Sequence, residues 1–234
     1  MEDKNLNHTT NRRGFLGSLA TGAAAIAIPT IASPLALQAG ENFNEGNNSD
    51  DPEEIFKKLK GKHKVVFDAT RPHDLMPFVW PKVFLMTNEM TGTAEKDSSV
   101  VVVLRHDAIP YAFEDRLWAK YKFGELFKAD DPATKTASVR NPFWQPKAGA
   151  FTIPGFGPVP IGINELQASG VVFVVCNAAM TVYSAVAAMQ SGKDAAEVKK
   201  DWEAGLLPGV KVVPSGVWAL GRAQEAGCAY IFAG

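Results

Sequence analysis

Neither charge is in excess: 24 Lys and Arg stand against 25 Asp and Glu, a formal net charge of −1. Without residues 1–40 the balance is 21 against 23. Proteins that bind nucleic acid or anionic membranes carry a surplus of Lys and Arg, so composition points to neither partner. No uninterrupted apolar run is long enough to span a bilayer, since the stretch over residues 14–28, before Pro29, has 15 residues where about 20 are needed. A dinucleotide fingerprint is missing too. Gly155-Phe156-Gly157 follows no strand and lacks the third glycine. Cysteine is scarce, with only Cys176 and Cys228 in 234 residues, so a disulfide-stapled scaffold is excluded.

What remains is ordinary for a globular protein: 46% hydrophobic and 21% charged residues, enough for one sizeable core. The first forty residues stand apart from that core. Arg12-Arg13 precede Phe15-Leu16, then a mild Ala/Gly-rich segment broken by Pro29 and Pro34, with small residues Ala32, Ala36 and Ala39 where a peptidase could cut. This pattern resembles a twin-arginine (Tat) signal. It departs from the usual form in having Asn11 for Ser or Thr and Gly17 for Lys. The expected organisation is therefore a signal peptide over 1–39, a polar, acidic linker with a short helix over 40–61, and one domain over 62–234. Such a chain acts in the periplasm or otherwise outside the cytoplasm, with no stable membrane span once the signal is removed.

In the domain, apolar runs alternate with helical patterns. Strands are expected over 63–68, 98–105, 171–176, 210–213 and 228–232. Helices are expected over 80–90 (Pro81 in the first turn), 112–127, 163–169, 178–190, 194–204 and 217–225. Residues 129–162 carry six prolines and four glycines, which leaves little regular structure there. Phe143, Trp144, Phe151 and Phe156 within it indicate a packed lid or a subunit contact. The alternation predicts a three-layer α/β/α sandwich around a mainly parallel five-stranded sheet.

The run Val171 to Val175 ends at Cys176, followed by Asn177-Ala178-Ala179. Buried parallel strands read as continuous apolar runs, and in open α/β sheets chemistry sits beyond their carboxyl ends. Cys176 would there face the N-terminus of the next helix, a setting that favours the thiolate. Packing as a small hydrophobe is the competing role for a cysteine. The other strand ends place Arg71, His73, Arg105 and His106 on the same edge. Arg105 or Arg71 would stabilise a thiolate or an anionic sulfur ligand, His106 or His73 would exchange protons, and Asn177 would contact substrate. The dipeptides His73-Asp74 and His106-Asp107 with Cys176 offer zinc or copper ligands by type, but their spacing fits no short metal motif. No metal or cofactor is assigned. If the last strand is parallel, Cys228 opens it while Cys176 closes another, too far apart in level for a disulfide.

Glu165 to Cys176, the segment Pro208-Gly209-Val210-Lys211-Val212-Val213-Pro214-Ser215-Gly216-Val217, and the ending Gln224 to Ile231 resemble the DsrE/DsrF-like family of sulfur-relay proteins. The resemblance covers about residues 62–234 and is densest in the C-terminal third. It implies an α/β/α domain that commonly forms homo- or hetero-oligomers. It also implies a cysteine at position 176 that carries sulfur as a persulfide, with a sulfur donor or acceptor as partner. The departures are the export signal, since the sulfur relays are cytoplasmic, and the long 129–162 segment. A catalytically silent oligomeric module that binds a ligand or partner in the bacterial envelope is the alternative.

If the twin arginines address the chain to the Tat route, replacing Arg12 and Arg13 together by lysine leaves the protein in the cytoplasmic fraction on cell fractionation. Unchanged delivery to the envelope would exclude that route.

Overall fold

The structure, a computed structural model, describes residues 51–234. Arg12, Arg13 and the rest of the predicted signal lie outside the described residues. Five strands form one all-parallel sheet: β1 (His63–Ala69), β2 (Ser98–Leu104), β5 (Val172–Cys176), β6 (Lys211–Val213) and β7 (Ala229–Phe232), in the order β6-β5-β2-β1-β7. Two short strands, β3 (Thr152–Ile153) and β4 (Gly157–Pro158), make a separate hairpin. Burial of both faces explains the unbroken apolar runs. Val65, Phe67, Val100, Val102, Leu104, Phe173 and Val175 line one face, and Val66, Val101, Val103, Val174 and Val213 the other.

The first face carries most of the helices: α2 (Met76–Met90), α3 (Asp115–Tyr121), α4 (Phe123–Leu126), α5 (Ile163–Ala168), α6 (Asn177–Ser191) and α7 (Ala195–Ala204). Among the described residues the second face carries α8 (Gly216–Glu225) and the short α1 (Glu53–Lys57), which packs Phe56 edge-on against Trp218. The arrangement is the three-layer α/β/α sandwich expected from the alternation.

Two helices differ from expectation. α2 begins at Met76, so Pro77 holds the first turn and Pro81 lies inside the helix. Phe78, Pro81 and Leu85 are all buried, and this i, i+3, i+7 stripe outweighs the hydrogen bond that an internal proline forgoes. The helix expected over 112–127 is instead two short ones parted by Lys122 in the left-handed region (φ 50°). The break turns Gly124 toward the following loop. A Cβ there would sit 2.3 Å from the Ser138 backbone, so only glycine fits. Residues 106–112 form a 3₁₀ helix ahead of α3.

The 129–162 segment is part of the core. Phe143 stacks on Phe78 (4.0 Å between centroids) and on Phe151 (5.1 Å). Buried Asn141 donates from Nδ2 to the carbonyls of Tyr111 (2.9 Å) and Phe113 (3.0 Å). Phe156 at the hairpin tip is exposed. Both cysteines are free thiols. Their strands stand three positions apart in the sheet, about 14 Å at 4.8 Å per strand, beyond bridging reach.

One carboxylate ties the first-face helices together. Asp201 of α7 accepts from Arg116 Nη1 (2.6 Å), Lys120 Nζ (2.7 Å) and the Tyr121 hydroxyl (2.7 Å), all on α3. Burial alone would push its carboxyl up, but the three donors overcome that and hold it well below the usual carboxylate range. A depressed folded-state pKa contributes stability that is complete above the unfolded value of about 3.9 and is lost as pH falls through the folded one. Asp201→Asn is accordingly expected to lower urea stability at pH 7 by about 1–3 kcal/mol, with the difference from the parent shrinking as the melts are repeated below about pH 4. A pH-independent difference would contradict the assignment.

Candidate functional site

Right-handed crossovers decide where the sheet opens. β1 to β2, β2 to β5 and β5 to β6 all step in one direction across the sheet, with their helices on the first face. The connection from β6 to β7 returns to the opposite edge, and its helix α8 lies on the second face. β5 and β6 are therefore neighbours whose following helices depart to opposite sides. That is the topological switch point at which open α/β sheets bind ligands.

Cys176 is the last residue of β5, paired with Val213 of β6, and stands at this crevice. It is also the N-cap of the 15-residue α6, its Sγ accepting the Ala179 N–H at 3.3 Å. A side-chain acceptor at this position satisfies one of the donors that every helix start leaves open. Cysteine does here what serine or aspartate usually does. Cys176 is 6% exposed. Across the crevice Pro214 takes the Ala178 N–H through its carbonyl (3.2 Å), and Ser215 caps α8 by accepting the Trp218 N–H (3.2 Å). Asn177, half-buried, is the first residue of α6.

Leu104 pairs with Val175, so continuing the register by one residue sets Arg105 beside Cys176, about 4.8 Å away between strands. The stem of Arg105 runs over Gly216, where a Cβ would meet its Cβ at 2.5 Å. Its guanidinium reaches Asp68 of β1 with both prongs, Nε to Oδ1 at 2.7 Å and Nη2 to Oδ2 at 2.9 Å. Asp68 is buried and also accepts the Tyr230 hydroxyl at 2.8 Å. The hydrogen bonds Arg105 donates to Asp68 raise its pKa against the opposing effect of burial. Arg105 is thus a fixed cation whose backbone adjoins Cys176 and whose fork is engaged by a carboxylate of β1.

The remaining predicted residues spread along the same edge. His106 follows Arg105 in the left-handed region (φ 51°) and is largely exposed. Its Nδ1 lies 3.2 Å from Asp107 Oδ2, and Asp107 Oδ1 accepts the hydroxyl of Tyr183. The Tyr183 hydroxyl is pushed up to about 12 by burial and by that hydrogen bond. Tyr183 is seven residues along α6 from Cys176, about 10 Å at 1.5 Å per residue, and His106 packs edge-on against its ring at 5.9 Å. The imidazole is therefore anchored against the Tyr183 ring on α6. Arg71 and His73 are exposed in the loop after β1, two strand positions from β5. Arg105 and Asn177 adjoin Cys176 in register and in sequence, Arg71 and His73 stand two strand positions from its strand, and His106 is tied to Asp107 and Tyr183. Among the described residues no group of three or more His, Cys, Asp and Glu side chains could hold a metal ion.

Sequence reasoning missed Asp68, Tyr230 and Tyr183. A single carboxylate inside the apolar β1 run was the available signal for Asp68, because a buried charge requires a partner.

No protein-family model and no curated protein matches the chain. Among solved structures, a protein of unknown function, MTH1491 from Methanobacterium thermoautotrophicum, is similar at 19% identity and a TM-score of 0.38. The match covers 73% of this chain and 99% of that one, and a likeness of this degree carries no functional argument.

Removing the carboxylate that holds Arg105 leaves a cation half out of water. Asp68→Ala is expected to cost about 2–4 kcal/mol in denaturant unfolding, and Tyr230→Phe about 1 kcal/mol. Equal, near-zero effects would mean that the network is not formed.

Proposed function

We propose that the protein is an exported DsrE-like sulfur carrier that holds sulfur as a persulfide on Cys176. One observation carries the reading: at the switch point of the sheet, the helix-capping acceptor is a cysteine sulfur, beside a fixed arginine. A hydrogen bond donated to sulfur at a helix start supports negative charge there, and a terminal persulfide is anionic in the same way. In the loading step the Cys176 thiolate attacks the outer sulfur of a donor persulfide. A new S–S bond forms on Cys176 as the donor's S–S bond breaks, and the donor leaves as a thiolate. Unloading is the same exchange run onto an acceptor thiol, so neither step needs an external oxidant or reductant.

Within this reading Arg105 supplies positive charge that Asp68 keeps in place, and Asn177 borders the incoming sulfur. His106, held by Asp107 and Tyr183, serves groups on the substrate or partner several ångströms from the thiol. The export address places donor and acceptor outside the cytoplasm, where a small sulfur species or a partner protein would fill those roles.

Incubation of the folded protein with a low-molecular-weight persulfide, followed by mass spectrometry of each cysteine peptide, is expected to add one sulfur atom to Cys176 and none to Cys228. Cys176→Ser should abolish the uptake, and Arg105→Lys should reduce it about tenfold through loss of the two-pronged anchor on Asp68. Absence of sulfur on Cys176 would favour the alternative suggested by its low exposure, a silent module that binds a ligand or partner.

A further inference from the structure

Cys176 closes β5, and β5 lies between β2 and β6. Arg105, the residue after β2, lays its stem against Gly216, three residues beyond β6: a Cβ built there would meet the Arg105 Cβ, Cδ and Cγ at 2.5, 2.7 and 3.1 Å. β2 and β6 stand two strand positions apart, about 10 Å, so this contact bridges the end of the strand between them. Two hydrogen bonds to buried Asp68 hold the bridge from its far end. On the β6 side a second tie crosses, where the Ala178 N–H bonds the Pro214 carbonyl at 3.2 Å. Strand pairing sets buried Val213 opposite Cys176 as well. With these three covers in place Cys176 is 6% exposed.

We propose that the covered strand end selects inorganic polysulfide, an unbranched chain of sulfur atoms, over persulfides carried on a peptide or protein. The inference rests on the persulfide reading above and names its donor. A polysulfide enters end-on and is nowhere wider than one sulfur atom. A cysteine persulfide brings a main chain on both sides of its Cβ, and that chain must meet the Arg105 stem or the loop at Pro214. Both donors are anionic, so width separates them and charge does not. Arg105 and Gly216 therefore determine specificity by obstructing the wrong donor.

With hydrogen disulfide, HS–S⁻, the Cys176 thiolate attacks the protonated sulfur. A new S–S bond forms on Cys176 as the donor's S–S bond breaks, and the proton passes to the departing sulfur. The products are the Cys176 persulfide anion and hydrosulfide, with no oxidant or reductant consumed.

Loading of Cys176 in the full-length protein is to be followed by mass spectrometry of its peptide, with sodium disulfide and with glutathione persulfide as donors, each rate divided by that of free cysteine with the same donor. The normalised rate is expected to be at least about tenfold higher for the inorganic donor. Arg105→Ala combined with Asp68→Asn removes the bridge without leaving a buried carboxylate unpaired, and should bring the two donors within about twofold of each other. A second readout needs no variant: iodoacetamide should modify native Cys176 at least about tenfold faster than a maleimide bearing a biotin arm, after the same normalisation. Equal normalised rates for the two donors or for the two alkylating reagents, a preference for glutathione persulfide, or a preference that survives loss of the bridge would overturn the proposal and leave the persulfide reading in place. Loading by neither donor would overturn both.

Discussion

The handedness of β-strand crossovers governs this molecule. Three successive right-handed steps carry the chain across the sheet with every helix on one face, and that layer holds most of the aromatic core. The return to β7 in the other direction must put its helix on the opposite face. The sheet can only part where those two senses meet, between β5 and β6. The residue at that parting is a cysteine, and the residue beside it in the next strand is an arginine. The crevice is thus a consequence of topology, and its character is a consequence of which side chains end the strands.

The fixed cation shows how burial and charge are reconciled. Asp68 sits inside an apolar strand, where an unpaired carboxylate would be prohibitive. The two-pronged contact from Arg105 and the Tyr230 hydroxyl satisfy it. Arg105 in turn gives up its freedom to reach across the crevice, and the smooth surface of Gly216 lets its stem lie flat. The result is positive charge at a set place, with little freedom left to reorganise. His106 is treated differently. Asp107 and Tyr183 hold it against α6.

Much of the fold was legible because a doubly covered parallel sheet writes continuous apolar strands, and the glycines at strand and helix ends mark the turns. The strand end at Cys176 and the neighbouring Arg105 could be read for the same reason. What could not be read depended on contacts distant in sequence. The stripe of Phe78, Pro81 and Leu85 overrode the expected start at Trp80, and the break at Lys122 answers to the close approach of Gly124 to Ser138. The Asp68–Tyr230 contact spans 162 positions, and strand order alone brings those residues together. His106, Arg71 and His73 share an edge with the thiol, as expected, but sharing an edge is not convergence. Spacing between strands sets Arg71 and His73 apart from Cys176, and His106 is tied to Tyr183.

The central claim is that Cys176 is a working thiol and Cys228 a packing residue. Both are 6% exposed, so accessibility alone does not distinguish them. Burial pushes the Cys228 thiol up, whereas Cys176 sits at a helix start that donates a hydrogen bond to its sulfur. The direct measurement is the second-order alkylation rate of each cysteine in the native protein, followed peptide by peptide at pH 7. The account predicts Cys176 reacting at least about tenfold faster than Cys228, with the two becoming equal only on unfolding. Equal and slow rates for both in the folded state would contradict it.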